Sequence, residues 1–279
     1  MNKDQFLQDK SVQRFVEWMI PKVDNRNGFI HQYRNRKSRT DWSCDSVFDA
    51  YINYGWGFKC DLPGHGKVSG KSYAESAWVL SEISRGLRQS MDQKDPRNLL
   101  SYSRSVLKWG GVTPSNLERL EQMGDAIYDY YRDAIARLEP LTVATSDNFE
   151  GLIMNSGFTK IYSLLLDDFV IYDSRVGAAL CLLVRDYLEE IEVLEIPATL
   201  GFAWKDVRGE RNGRREPSKG HYRFRELSGR CHIDNNVRAN WLLKDIAHKS
   251  KFTSTQSPTR ALEAALFMIG YSVKEGPRA

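Results

Sequence analysis

Lys160 offers an amine and Asp173 a carboxylate, thirteen positions apart in the chain. The stretch that begins Thr159-Lys160 reads as a short helix. A tight turn through Asp167-Asp168 follows, then the apolar run Phe169-Val170-Ile171-Tyr172. Asp173 stands directly before a strongly apolar helical pattern and suits its N-cap. A capping aspartate accepts helix amides and stays ionised beside the positive end of the helix. A lysine on the first turn of the preceding helix could face it across a cleft, at the mouth of a helical core. The same spacing fits a solvated lysine and a purely structural cap.

Other patterns fail on inspection. Gly70-Lys71-Ser72 lacks the earlier glycine of a phosphate loop, because position 65 is His65, and no apolar strand leads into it. The histidines His31, His65, His221, His232 and His248 show no zinc-site spacing. No Gly-x-Ser-x-Gly occurs. Cys44, Cys60, Cys181 and Cys231 are widely spaced, and none forms a Cys-x-x-Cys pair. With no export signal at the N-terminus, this favours reduced thiols and a cytoplasmic protein.

The elements that must position the pair are mostly helical. Residues 4–20 predict an amphipathic helix stopped by Pro21, and residues 22–70 predict loops with a few strands. Helices follow around 72–90 and 96–109. Ser115 and Glu118 predict a capping box for the next helix. Leu117, Leu120, Ile127, Tyr131, Ala134 and Leu138 form its single apolar stripe, ended by Pro140. Short helices are expected at 147–156 and 159–167, and a long buried helix at 174–191. The last two helices fall at about 235–249 and 259–271, the second entered through Ser257-Pro258. The expectation is a mainly α fold with an irregular, partly β N-terminal region. Residues 1–110 would form one part and 111–279 the helical part that carries the Lys/Asp pair.

Lys plus Arg number 40 against 36 Asp plus Glu, a net charge of +4. Placement says more than the sum. Residues 205–230 hold nine basic and four acidic residues, so the rest of the chain sums to −1. Arg34, Arg36, Lys37 and Arg39 form a second basic cluster. A near-neutral body with two basic segments suggests a polyanion partner, although two solvated loops would look the same. No apolar run approaches the ~18 residues of a membrane span.

The stretch Ser156-Gly157-Phe158-Thr159-Lys160 through Tyr172-Asp173-Ser174-Arg175 resembles the active-site segment of the helix-hairpin-helix DNA glycosylases, closest to the 8-oxoguanine glycosylase branch. In that family a Gly-x-Thr-Lys turn opens a helix bearing the catalytic lysine, and the catalytic aspartate caps the next helix. Lys160 and Asp173 match those positions. Arg175 falls where the family often has a histidine facing a DNA phosphate. Ala261-Leu262-Glu263-Ala264-Ala265-Leu266-Phe267 resembles the family's last helix, where a polar residue reads the flipped base and a phenylalanine stacks on it. Glu263 and Phe267 match these. The chain departs from the family in three further places. Ile153-Met154-Asn155-Ser156-Gly157-Phe158 replaces the usual Leu-Pro-Gly-Val-Gly hairpin, the Lys160 to Asp173 spacing is tighter, and Glu263 stands where the 8-oxoguanine enzymes have glutamine.

The resemblance implies a helix-hairpin-helix glycosylase fold and a monomer that flips and excises a modified base from duplex DNA. Lys160 would attack C1′, and Asp173 would stabilise the cationic sugar. Arg175, Arg214, Arg215, Arg223 and the cluster from Arg34 to Arg39 would meet phosphates. No metal or organic cofactor is implied. The modified base would be one found in phage DNA, with 8-oxoguanine repair or a non-catalytic helical DNA-binding protein as the alternatives.

Overall fold

A computed structural model describes residues 1–36, 38–139, 149–206 and 214–273. Lys37, Pro140 and residues 207–213 of the basic segment, all invoked above, lie outside these residues. The chain is mainly helical, as expected, and its described residues group into two compact units. One holds residues 1–54 and 172–273, the other 55–139 and 149–171. The break expected after residue 110 instead lies inside the second unit. There α5 packs against the helices that follow it, so residue 110 is a turn within one core.

In the first unit, the expected helix over 4–20 divides into α1 (Lys3–Gln8) and α2 (Lys10–Asp24). Asp9 causes the division by capping α2, accepting from the amides of Ser11 and Val12. Pro21 does not stop α2 but sits in its last turn, and its carbonyl still accepts from the Asn25 amide at 3.1 Å. Strands β1 (His31–Arg34) and β2 (Asp41–Cys44) pair antiparallel, with Tyr33 opposite Trp42. After α3 (Val47–Ile52) the chain leaves this unit. It returns with α9 (Ser174–Glu190), then β5 (Ala203–Trp204) parallel to β6 (Arg225–Glu226). Helices α10 (Gly229–Lys249) and α11 (Pro258–Ile269) close the unit, and α10 begins six residues earlier than the sequence predicts. Ser257 precedes α11 without a side-chain cap bond. α11 packs on α3, α9 and α10. Its approach to α9 is close enough that a Cβ at Gly270 would stand 1.9 Å from the Arg175 carbonyl oxygen.

The second unit begins with an antiparallel hairpin, β3 (Phe58–Leu62) and β4 (Gly66–Gly70). Helices α4 (Tyr73–Asp92), α5 (Pro96–Trp109), α6 (Pro114–Met123), α7 (Ile127–Leu138) and α8 (Phe158–Leu165) follow. The stripe over 117–138 does not make one helix. Gly124, at φ 51° and ψ −130°, breaks it into α6 and α7, joined by a 3₁₀ turn over Gly124–Ala126. The Ser115–Glu118 capping box does not form either. Thr113 is the N-cap, without a side-chain bond, and Pro114 opens the helix. Of the short helix expected over 147–156, residues 147 and 148 lie outside the described residues, residue 149 has 3₁₀ geometry, and residues 150–157 carry turns without an α-helix.

Candidate functional site

Lys160 belongs to the second unit. Asp173, Arg175, Arg214, Arg215, Arg223, Glu263 and Phe267 belong to the first.

Every residue of α8 is buried, and Lys160 is only 3% exposed. A solvated surface lysine is therefore ruled out. Asn155 opens the helix, its Oδ1 accepting from the amides of Gly157 at 2.8 Å and Phe158 at 3.0 Å. Asn155 Nδ2 in turn donates to Asn116 Oδ1 at 2.9 Å. Asn155 thus fixes the turn that leads into α8, whose N-cap, Gly157, has no side-chain cap bond of its own. Lys160 Nζ donates to the Ser156 carbonyl at 2.9 Å. The lysine stem lies beside Gly110, at the end of α5.

Asp173 caps α9 as the sequence predicts. One carboxylate oxygen accepts from the amides of Arg175 at 2.9 Å and Val176 at 3.1 Å. The side chain is buried, and Tyr172 before it donates its hydroxyl to the Ala203 carbonyl at 2.6 Å. These bonds fix the direction in which the chain enters α9.

The half-buried Arg175 places its guanidinium 4.2 Å from the centre of the Phe267 ring and 5.0 Å from that of Tyr271. Burial pulls its pKa below the usual arginine value, while Asp173 and the hydroxyls of Tyr33, Tyr271 and Tyr54 pull it back up. Phe267 also lies 6.3 Å from Tyr54, ring centre to ring centre. Tyr33 continues the cluster, stacking on Trp42 at 4.7 Å and meeting Tyr271 at 4.8 Å. The Tyr271 hydroxyl accepts from the Arg36 amide at 3.0 Å, tying the β1–β2 turn to the end of α11.

The basic segment divides by exposure. Arg214 and Arg223 are exposed, whereas Arg215 is buried and donates to the Ser174 hydroxyl on the first turn of α9. Burial and, after it, neighbouring Arg175 lower the Arg215 pKa to about 10 against the opposing pull of Asp173. Arg215 is therefore a packed neighbour of the aspartate cap rather than an outward phosphate contact. Glu263 is buried as well, and both its carboxylate oxygens lie 3.0 Å from Arg260 Nη1. That contact takes up acceptor capacity that a base edge would need.

Sequence reasoning missed Tyr33, Trp42, Tyr54, Tyr271, Asn155 and Gly110. Tyr54 closes the run Tyr51-Ile52-Asn53-Tyr54, and that aromatic run is the signal that could have found it. Among the described residues, no group of His, Cys, Asp or Glu could hold a metal ion, and no helix is long and apolar enough to cross a membrane. Compared with protein-family models, curated proteins and solved structures, the chain matches none of them.

Proposed function

We propose that the protein is an enzyme that acts on the glycosidic bond of a nucleotide in duplex DNA. More narrowly, it is a DNA glycosylase that flips a modified base from the stack and excises it, leaving an abasic site. The observation that supports this reading is the buried lysine. Lysine is almost never buried this deeply without a compensating role. Lys160 is 3% exposed at the start of α8, with its amine tied to a main-chain carbonyl. The motif that contains it leads directly into a buried aspartate cap.

In this mechanism Lys160 first gives up a proton to solvent water. Its nitrogen then forms a bond to C1′ as the bond from C1′ to the base breaks, and the base leaves with the electron pair and takes up a proton from solvent. Asp173, whose carboxylate accepts from two helix amides, stabilises the positive charge on the sugar. The amine adduct can open to a Schiff base, from which strand cleavage by β-elimination follows. The substrate is a modified base in foreign DNA rather than 8-oxoguanine. Support comes from Glu263, a buried carboxylate ion-paired to Arg260 where the 8-oxoguanine enzymes have glutamine. Arg214 and Arg223 meet phosphates.

The test is incubation with duplexes that carry modified cytosines, other modified bases or 8-oxoguanine, followed by heat and alkali. Breaks at the modified position are expected with the native protein, and borohydride should trap it on DNA. Lys160→Gln should bind the duplex and leave it intact. Binding by the native protein without base release on every duplex would overturn the proposal in favour of a DNA-binding module.

A further inference from the structure

Gly110 closes α5, yet its backbone does not require glycine. Its φ of −79° and ψ of −7° are open to any residue. The left-handed conformation that favours glycine falls one position later, at Gly111 with φ 64°. Gly110 is set apart by what a side chain there would meet. A Cβ at this position would stand 2.6 Å from Lys160 Cδ and 2.7 Å from Lys160 Cε. A Cβ at Gly111 would meet nothing within 4 Å. The lysine stem thus runs over bare backbone at the end of α5. Its ammonium is then caught by the Ser156 carbonyl. A missing methyl on one side and a main-chain acceptor on the other define the path of the amine.

We infer that Gly110 is a positioning residue for the Lys160 amine, its absent side chain setting where Nζ stands. The consequence for activity rests on the proposed role of Lys160 as nucleophile, whereas the geometric consequence does not. The methyl of an alanine would press on the far part of a flexible side chain rather than on backbone, so the fold absorbs it by moving the lysine. Cδ and Cε cannot shift without carrying Nζ. A displacement of about 1 Å from attack geometry costs on the order of 10²-fold in rate.

The experiment compares native protein, Gly110→Ala and Gly111→Ala. It uses thermal unfolding, a pH titration of the ¹³Cε resonance of Lys160 (assigned by its loss in Lys160→Gln), and single-turnover excision on a modified duplex. Gly110→Ala should fold and bind duplex DNA with native affinity. Its Lys160 resonance and titration should shift, and single-turnover excision should fall about 10²-fold. Gly111→Ala should show the reverse pattern, with lower thermal stability from a strained φ but a native resonance and native excision per folded molecule. A native Lys160 resonance in Gly110→Ala would overturn the inference, and so would failure of that variant to fold. A shifted resonance in a protein whose native form excises no base would uphold the positioning and remove the glycosylase reading instead.

Discussion

Lys160 and Arg175 flank the same stretch of sequence, and each is a cation, but they are held by opposite means. Lys160 is a point charge on a long stem, with its ammonium on a main-chain carbonyl and its stem over a glycine. Arg175 is a plane set over two aromatic rings of the first unit. A flexible ammonium can let go of a carbonyl and turn to another atom, whereas a guanidinium stacked on Phe267 and Tyr271 gives up two ring faces if it moves. The lysine has the character of a reacting group. The arginine has that of a strut, joining the first turn of α9 to the rings of α11 and the turn beyond it.

The largest effect that would test this contrast is on chemistry. Lys160→Gln should cut base release by about 10³-fold or more, because it removes the proposed nucleophile rather than adjusting it. Duplex affinity should stay within a few-fold of native. Asp173→Asn comes next. Asparagine still caps a helix, so thermal stability should hold while excision falls by at least about 10²-fold. Asp173→Ala should lose activity similarly and also cost about 1 kcal/mol of stability, measured by denaturant unfolding. Native activity in the asparagine variant would reduce Asp173 to a cap.

Arg175 yields an effect of the opposite kind. Arg175→Gln removes the guanidinium from both rings and should cost about 1 kcal/mol of stability. The salt dependence of duplex affinity should not change, since a strut neutralises no phosphate. A fall in that slope of about 0.9 would make Arg175 a phosphate contact and break the comparison. The basic segment serves as the control. Neutralising the exposed Arg214 and Arg223 should flatten the salt slope by up to ~2, whereas Arg215→Gln should lower stability and leave the slope nearly untouched. That loss comes from the missing hydrogen bond to Ser174 and runs against the effect of the charge itself, because the Arg215 pKa is lowered to about 10 in the fold. A base held below its unfolded pKa penalises the fold while charged, and that penalty lifts as pH rises through about 10.

Features fixed by near neighbours could be read in advance. Asp173 followed by the apolar face of 176–188 is a local pattern, and the cap and α9 both follow from it. Tertiary placement could not be read. The stripe Leu117–Leu138 continues in register across Gly124, so periodicity carries no sign of the break that its backbone angles impose. His31-Gln32-Tyr33-Arg34 is too short and too polar to declare itself a strand, and its pairing of Tyr33 with Trp42 depends on a turn whose geometry composition does not encode. Arg214 and Arg215 are chemically identical neighbours, yet one is exposed and the other buried, because α9 and the chain after α11 decide which faces inward. Gly110 gave no signal because the contact that requires it comes from fifty residues away.

The smallest predicted effect separates capping from catalysis. Glu75 belongs to a capping box at the start of α4, as Asp173 caps α9, but nothing in the proposed reaction uses it. Its carboxylate accepts from the Lys71 amide, and from the hydroxyl and amide of Ser72, and these bonds lower its pKa from 4.5 to about 2. A carboxylate depressed in the fold contributes stability that is present above its unfolded pKa and lost as pH falls through its folded one. The native melting temperature should therefore exceed that of Glu75→Gln at pH 6, and the gap should close between pH 4.5 and 2. Excision at neutral pH should be the same in both proteins. A gap that persists at pH 2 would mean that the box acts through the geometry of an uncharged hydrogen bond. Capping at Asp173 would then need no charge either, and the loss of activity in Asp173→Asn could be assigned wholly to the reaction.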